Sequence, residues 1–169
     1  MQAIAEVPSF TSVAERHLDD VHAYLVYMTR DRDVAEDLTA ETFDKALRQW
    51  RKFDPRRGSA RTWLCQLART TALDHFRAED RRRRREGAYA AREPETVEEG
   101  LFGGLSPQLE RALAALSAGE REVIALRVLL DLDGETAARV LGISATACTT
   151  RLSRALKKLE ERMSADVAA

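Results

Sequence analysis

Proline and glycine are scarce in this chain of 169 residues, four and eight in all. With so few breakers, long uninterrupted elements are expected. Runs that alternate β-branched and polar residues, the mark of half-buried strands, are nearly absent. Ala, Leu, Arg and Glu dominate instead, which predicts an all-α protein. No run of 18 apolar residues occurs, so no membrane insertion is expected. The N-terminal MQAIAEVPSF has no basic stretch leading into an apolar one, so no secretory signal is expected either. Cys65 and Cys148 lie far apart with no CxxC spacing. Small buried apolar residues in a reducing cytoplasm are the expectation for both. His17 and His22, five apart, do not share a helix face, and no Cys, Asp or Glu group surrounds them at metal-ligand spacing. Neither a phosphate loop GxxxxGK[ST] nor a nucleophile elbow is present. The expectation is therefore no metal, no cofactor and no enzyme.

What the chain does have is charge in blocks. The net charge is only −1, with 44% hydrophobic and 33% charged residues. Residues 1–50 carry a net −5, residues 51–92 a net +8, residues 93–135 a net −7 and residues 136–169 a net +3. Two separate basic blocks, each behind an acidic one, suit a protein that meets phosphate at two places and protein elsewhere.

Phe10, Val13, Ala14, His17, Leu18, Val21, Leu25 and Met28 recur at three and four residues on one largely apolar face, predicting a helix over 10–29. Asp33, with Glu36 three residues on, is the expected cap of a second helix, lined by Val34, Leu38, Ala46, Leu47 and Trp50. DPRRGS (54–59) is a turn, and Ser59 caps a third helix running to Arg85. Trp50, Phe53 and Trp63 are expected in the core. The five arginines 81–85 would surround the axis, marking a fraying end that reaches toward a nucleic-acid backbone or simply solubilises it. Residues 86–105 are acidic and glycine-bearing and form the expected flexible linker, with room for a short helix near 96–101. Four helical stretches follow: 107–116, 118–129 behind a Ser117/Glu120 capping box, 134–141 behind Asp133, and 145–163 behind Ser144. The fold expected is thus two small helical domains, residues 1–85 and 106–169, joined by the linker.

Residues 135–159 hold the sharpest local pattern. A short helix ends at Leu141, Gly142 takes the left-handed turn, Ile143 plugs the gap and Ser144 starts a longer helix. This is a helix-turn-helix layout, whose second helix enters the major groove. Ser144, Thr146, Thr149, Thr150, Arg151, Ser153 and Arg154 offer hydroxyl and guanidinium groups able to reach bases or phosphates. Cys148, Leu152, Leu156 and Leu159 are spaced to bury the opposite face. An ordinary helical hairpin with a solvated basic side would use the same pattern.

Taken together, DVAEDLTAETFDKALRQW, GSARTWLCQLARTTALDHFR and the run LSAGEREVIALRVLLDLDGETAARVLGISATACTTRLSRALKKL resemble, in order, the motifs of the extracytoplasmic-function sigma factors. The resemblance covers about residues 10–85 and 106–163. It implies a subunit that binds core RNA polymerase and directs initiation at promoters, reading the −35 and −10 elements and helping to melt the DNA. It assigns the second helix, through Asp37, Leu38, Glu41 and Phe43, to the clamp coiled coil of the largest polymerase subunit. The flap of the second-largest subunit is the further contact it implies. Asp37 and Glu41, four apart, repel mildly on an isolated helix, which favours a cationic partner; a solvated helix face has the same composition. The −10 element falls to Arg56, Arg57, Ser59, Arg61, Arg69, Thr70, Asp74 and Arg77, where melting needs phosphate contacts beside surfaces that accept unstacked bases. The −35 element falls to Ser144 and the recognition-helix residues just named. An anti-sigma factor is the implied regulator, on another chain, since the sequence stops at Ala169 with no appended domain.

The departures from the family pattern are specific. Ala40 stands for its usual Gln, Thr70 for its Asn, and Thr149 for a Lys that would contact DNA. The competing expectation is a free-standing helix-turn-helix regulator with an N-terminal interaction bundle, which would have no need of the 37–43 face or of Asp74 and Arg77.

Overall fold

The computed structural model describes residues 8–87 and 105–167. Among the described residues every regular element is helical and no strand occurs. The short helix expected near 96–101 lies outside them. Among the described residues no helix is long and apolar enough to cross a membrane.

α1 (Phe10–Thr29) is capped by the Ser9 hydroxyl, which accepts from the Ser12 N–H at 3.2 Å. It ends at Arg30, which sits in the left-handed region at φ 57° and returns its N–H to the Val26 carbonyl. That tight exit starts α2 (Arg32–Gln49) earlier than expected. The cap is Asp31, whose Oδ1 accepts from the Val34 N–H at 3.0 Å, not Asp33. The Thr29 hydroxyl ties the corner, donating to the carbonyls of Leu25 and Asp31 at 2.8 and 2.9 Å.

α2 buries Ala35, Leu38, Thr42 and Ala46. Leu47, expected on that face, is 57% exposed, because one residue beyond Ala46 turns the side chain about 100° away. Leu18 of α1 is exposed for the same kind of reason. A 3₁₀ turn (Trp50–Lys52) and the 54–59 turn lead to α3 (Ala60–Arg85), capped by Ser59. The arginine run does not fray: α3 continues through Arg85, with the Glu79 carboxylate 3.5 Å from both Arg82 and Arg83. Those i,i+3 and i,i+4 pairs offset the repulsion among the guanidinium groups.

In the C-terminal part, α4 (Pro107–Ala114) starts on the Ser106 cap and stops two residues short of the expected end. The Ser117/Glu120 capping box opens α5 (Ala118–Ile124). The predicted continuation to Leu129 instead widens into a π turn (Ala125–Leu129), closed by the Leu130 N–H on the Ala125 carbonyl at 2.9 Å. α6 (Gly134–Leu141) is capped by Asp133, and α7 (Ala145–Val167) extends past the expected Met163.

The two sets of helices meet. One continuous apolar core contains Tyr24, Leu25, Leu64 and Ala68 from the first set and Val123, Leu126, Leu130 and Cys148 from the second. Cys65 and Cys148 are buried free thiols. Each fully buried Leu contributes about 1.5–3 kcal/mol, so the shared core positions the two basic surfaces relative to each other.

Candidate nucleic-acid interface

The C-terminal surface is built by a turn and a cap. Gly142 ends α6 at φ 67° and ψ 33°, a conformation that costs an L-residue with a side chain but not glycine. Its N–H and that of Ile143 return to the carbonyls of Arg139 and Ala138 at 3.3 and 3.0 Å. The Ser144 hydroxyl then accepts from the Ala147 N–H at 3.1 Å and starts α7. Cys148 and Ala155 are buried under α7, while Thr146, Thr149, Thr150, Ser153 and Arg154 are exposed and Arg151 is half-buried. Leu152 and Leu159 pack partly against the core, but Leu156 stays 46% exposed, because it lines an open apolar concavity with Leu109, Val128 and Leu159 instead of the closed core.

A concavity of about 670 Å³ lies beside this face, lined by Ser117, Ser144, Thr146, Thr150, Arg151 and Arg154, among others. Its Ser117 wall was legible in the sequence only as a helix cap. The Glu120 carboxylate there accepts from the Ser117 N–H at 2.9 Å and pairs with Lys158 of α7 at 2.7 Å. These bonds, the lysine's first, hold its carboxyl below the ordinary carboxylate value. The pair therefore ties the α5 start to the basic side of α7 and leaves Arg151 and Arg154 facing the concavity.

The N-terminal basic surface centres on the 54–59 turn. Asp54 folds it, accepting from the Arg56 N–H at 2.9 Å, and both Arg56 and Arg57 project outward. Behind them Trp50, Phe53 and Trp63 form a half-buried aromatic cluster. Trp50 and Phe53 are stacked at 4.9 Å with planes 11° apart, and Phe53 lies 5.4 Å from Trp63. A cavity of about 400 Å³ opens beside the cluster, with Phe53, Arg57, Ser59, Thr62 and Trp63 among its walls. Guanidinium side chains thus stand next to aromatic faces, the combination that unstacked bases require.

The remaining expected residues of this surface are not all directed outward. Arg61 donates through Nε to Asp20 Oδ2 of α1 at 2.9 Å. Arg69 faces the C-terminal half and donates to both oxygens of Glu122, Nε to Oε1 at 2.7 Å and Nη2 to Oε2 at 3.4 Å. Thr70 is exposed, its hydroxyl donating to the Gln66 carbonyl. Asp74 and Arg77 are exposed and pair at 3.4 Å.

On α2, Asp37 and Glu41 are exposed, Phe43 is half-buried, and Leu38 is only 5% exposed, so Leu38 supports this face from beneath. Glu41 has a cation within its own helix, Lys45 at 2.6 Å. Among the described residues no group of three His, Cys, Asp or Glu side chains is arranged to hold a metal ion.

Two family models match the chain in order, Sigma-70 region 2 over residues 13–82 and Sigma-70, region 4 over residues 106–159. The ECF RNA polymerase sigma factor SigC of Mycobacterium tuberculosis is 35% identical to it, over 80% of this chain and 73% of SigC. BldN of Streptomyces coelicolor, another ECF RNA polymerase sigma factor, is 30% identical over 91% of this chain, which spans only 60% of BldN's length. Among solved structures, the sigma factor RpoE of Bartonella quintana, in complex with the anti-sigma factor NepR, matches with a TM-score of 0.79. The identity there is 26%, over 95% of this chain and 99% of that one. With both matched regions present in order on one helical frame, the chain belongs to the extracytoplasmic-function sigma factors of RNA polymerase.

Proposed function

We propose that this chain works in the cytoplasm as two connected readers, 1–85 and 106–169, that bind core RNA polymerase and direct initiation at its own set of promoters. The exposed acidic pair Asp37 and Glu41, over Leu38 and beside Phe43, is the face for the clamp coiled coil of the largest subunit. The C-terminal unit meets the flap of the second-largest subunit. Arg56, Arg57 and Ser59, with Arg61, Arg69, Thr70, Asp74 and Arg77 along α3, take the −10 element. Ser144, Thr146, Thr149, Thr150, Arg151, Ser153 and Arg154 take the −35 element. The observation that carries the reading is the outer face of α7: exposed hydroxyl and guanidinium groups on a helix launched by a left-handed glycine turn. Two weak contacts on one chain raise each other's effective concentration. An anti-sigma factor is the regulator this reading adds, supported by the NepR-bound relative.

Transcription reconstituted from core polymerase and the full chain tests this. A specific start that depends on the chain is expected, with poor promoter binding by the chain alone. Glu41→Lys is expected to abolish capture by core polymerase. Nanomolar promoter binding without core polymerase would instead mark a free-standing regulator.

A further inference from the structure

The acidic face of α2 carries a cation that is held from outside its own helix. Asp37, Glu41 and Lys45 follow at four-residue intervals, so they stand one above another along a single stripe of α2. Lys45 Nζ donates to Glu41 Oε1 at 2.6 Å and to the Thr71 hydroxyl of α3 at 3.3 Å. Thr71 is 1% exposed, so its hydroxyl is fixed by the packing around α3. The ammonium therefore bridges a rigid point on one helix and a half-exposed carboxylate on another.

Asp44 and Arg48 of the same helix supply the contrast. Their pair also spans four residues and is nearly as short, at 2.8 Å, but both side chains are exposed. Among the described residues Arg48 bonds to no other helix. An exposed pair of that kind is screened by water and restrains its members little. Lys45 differs because a buried second partner restrains the ammonium, and the ammonium in turn restrains the carboxylate. A carboxylate accepts at both oxygens; Lys45 uses Oε1, so Oε2 can take a cation from a partner surface. A long side chain frozen only on contact weakens docking by about twofold to tenfold. Glu41 gives up that freedom before a partner arrives.

We propose that Lys45 is the positioning residue of the polymerase-docking face: anchored on Thr71, it holds the Glu41 carboxylate in place for a cation of the clamp. The assignment rests on the reading of α2 as the clamp face. It gives α3 a part in core binding through Thr71, next to the Thr70 assigned to DNA.

The test measures the affinity of the fluorescently labelled full chain for core RNA polymerase at one fixed salt concentration. Lys45→Gln and Arg48→Gln each remove one positive charge from α2, so a purely electrostatic effect on a cationic clamp is common to both. Lys45→Gln is expected to bind about threefold to tenfold more weakly than Arg48→Gln. Thr71→Val removes the anchoring hydroxyl and no charge, and is expected to weaken binding about twofold to fivefold against the unaltered chain. In a Glu41→Gln background neither Lys45→Gln nor Thr71→Val is expected to change the affinity further, because both act through the carboxylate. A merely structural role would not produce that coupling. Equal affinities of Lys45→Gln and Arg48→Gln overturn the proposal, as does an undiminished effect of Lys45→Gln in the Glu41→Gln background. If circular dichroism shows Thr71→Val unfolded, the comparison of Lys45→Gln with Arg48→Gln decides. Failure of the underlying reading looks different: Glu41→Gln then binds core polymerase as tightly as the unaltered chain, which removes the clamp face and the proposal with it. Weakening by Glu41→Gln beside equal Lys45 and Arg48 variants removes the positioning role alone and leaves the clamp face standing.

Discussion

Replacing Tyr24 by Phe is expected to stabilise the protein, against the usual direction for a core substitution. The Tyr24 ring is buried to 1% exposure and its hydroxyl makes no hydrogen bond among the described residues, whereas in the unfolded chain it bonds to water. Leaving a buried polar group unpaired costs about 1–3 kcal/mol. Phenylalanine keeps the ring and removes that cost. The hydroxyl-sized void left behind, roughly 10–15 Å³, costs only about 0.3 kcal/mol at about 24 cal/mol per Å³. A net gain of about 1–2 kcal/mol follows. For a chain of this size, about 2–4 °C per kcal/mol converts this to a Tm increase of about 2–8 °C. The assay is reversible denaturant and thermal unfolding of the full chain followed by circular dichroism, with the midpoint raised and the slope unchanged. A loss of 1 kcal/mol or more in Tyr24→Phe would show that the hydroxyl is satisfied in the folded protein, and would refute the reasoning.

Three further outcomes are expected. Burial pushes the Cys65 thiol from 9.0 up to about 11, so the folded state holds a proton that the unfolded state releases first. Stability is fully present below pH 9 and is lost as the pH rises through 11, and Cys65→Ala should flatten that limb in alkaline unfolding curves. Glu120→Ala removes both the capping box and the Lys158 bond and should cost about 1–2 kcal/mol in denaturant unfolding. Since the Glu120 carboxyl is held below its ordinary value of 4.5, its contribution is present above that pH and lost as the pH falls below it; the variant's acid limb should be correspondingly shallower. Gly142→Ala meets no atom within 4 Å but must hold φ +67°, so it should lose about 1–2 kcal/mol by backbone strain alone. Gly142→Asn should lose less, and an equal loss in the two variants would locate the effect elsewhere.

The elements were largely legible in the sequence because local chemistry decides them. Ser59, Ser117, Asp133 and Ser144 cap the helices they were expected to cap, since a short polar side chain and four free N–H groups meet within one turn. Gly142 was readable for the same reason. Asp31 was missed as a cap because the choice between it and Asp33 depends on the left-handed Arg30 that ends α1. The π turn after α5 carries no sequence mark, since its widening answers to packing of Leu126 and Leu130 into the core.

The sequence by itself determined the all-helical class, the helix-turn-helix and the two basic surfaces, because periodicity, capping and charge act over a few residues. Only the tertiary structure decided which of those charges face outward. The family resemblance points Arg69 toward DNA, and nothing in the sequence singles out Glu122; 53 positions of chain separate them. Their meeting follows from the shared core of Tyr24, Leu64, Val123 and Leu126, a long-range packing solution that no local pattern encodes.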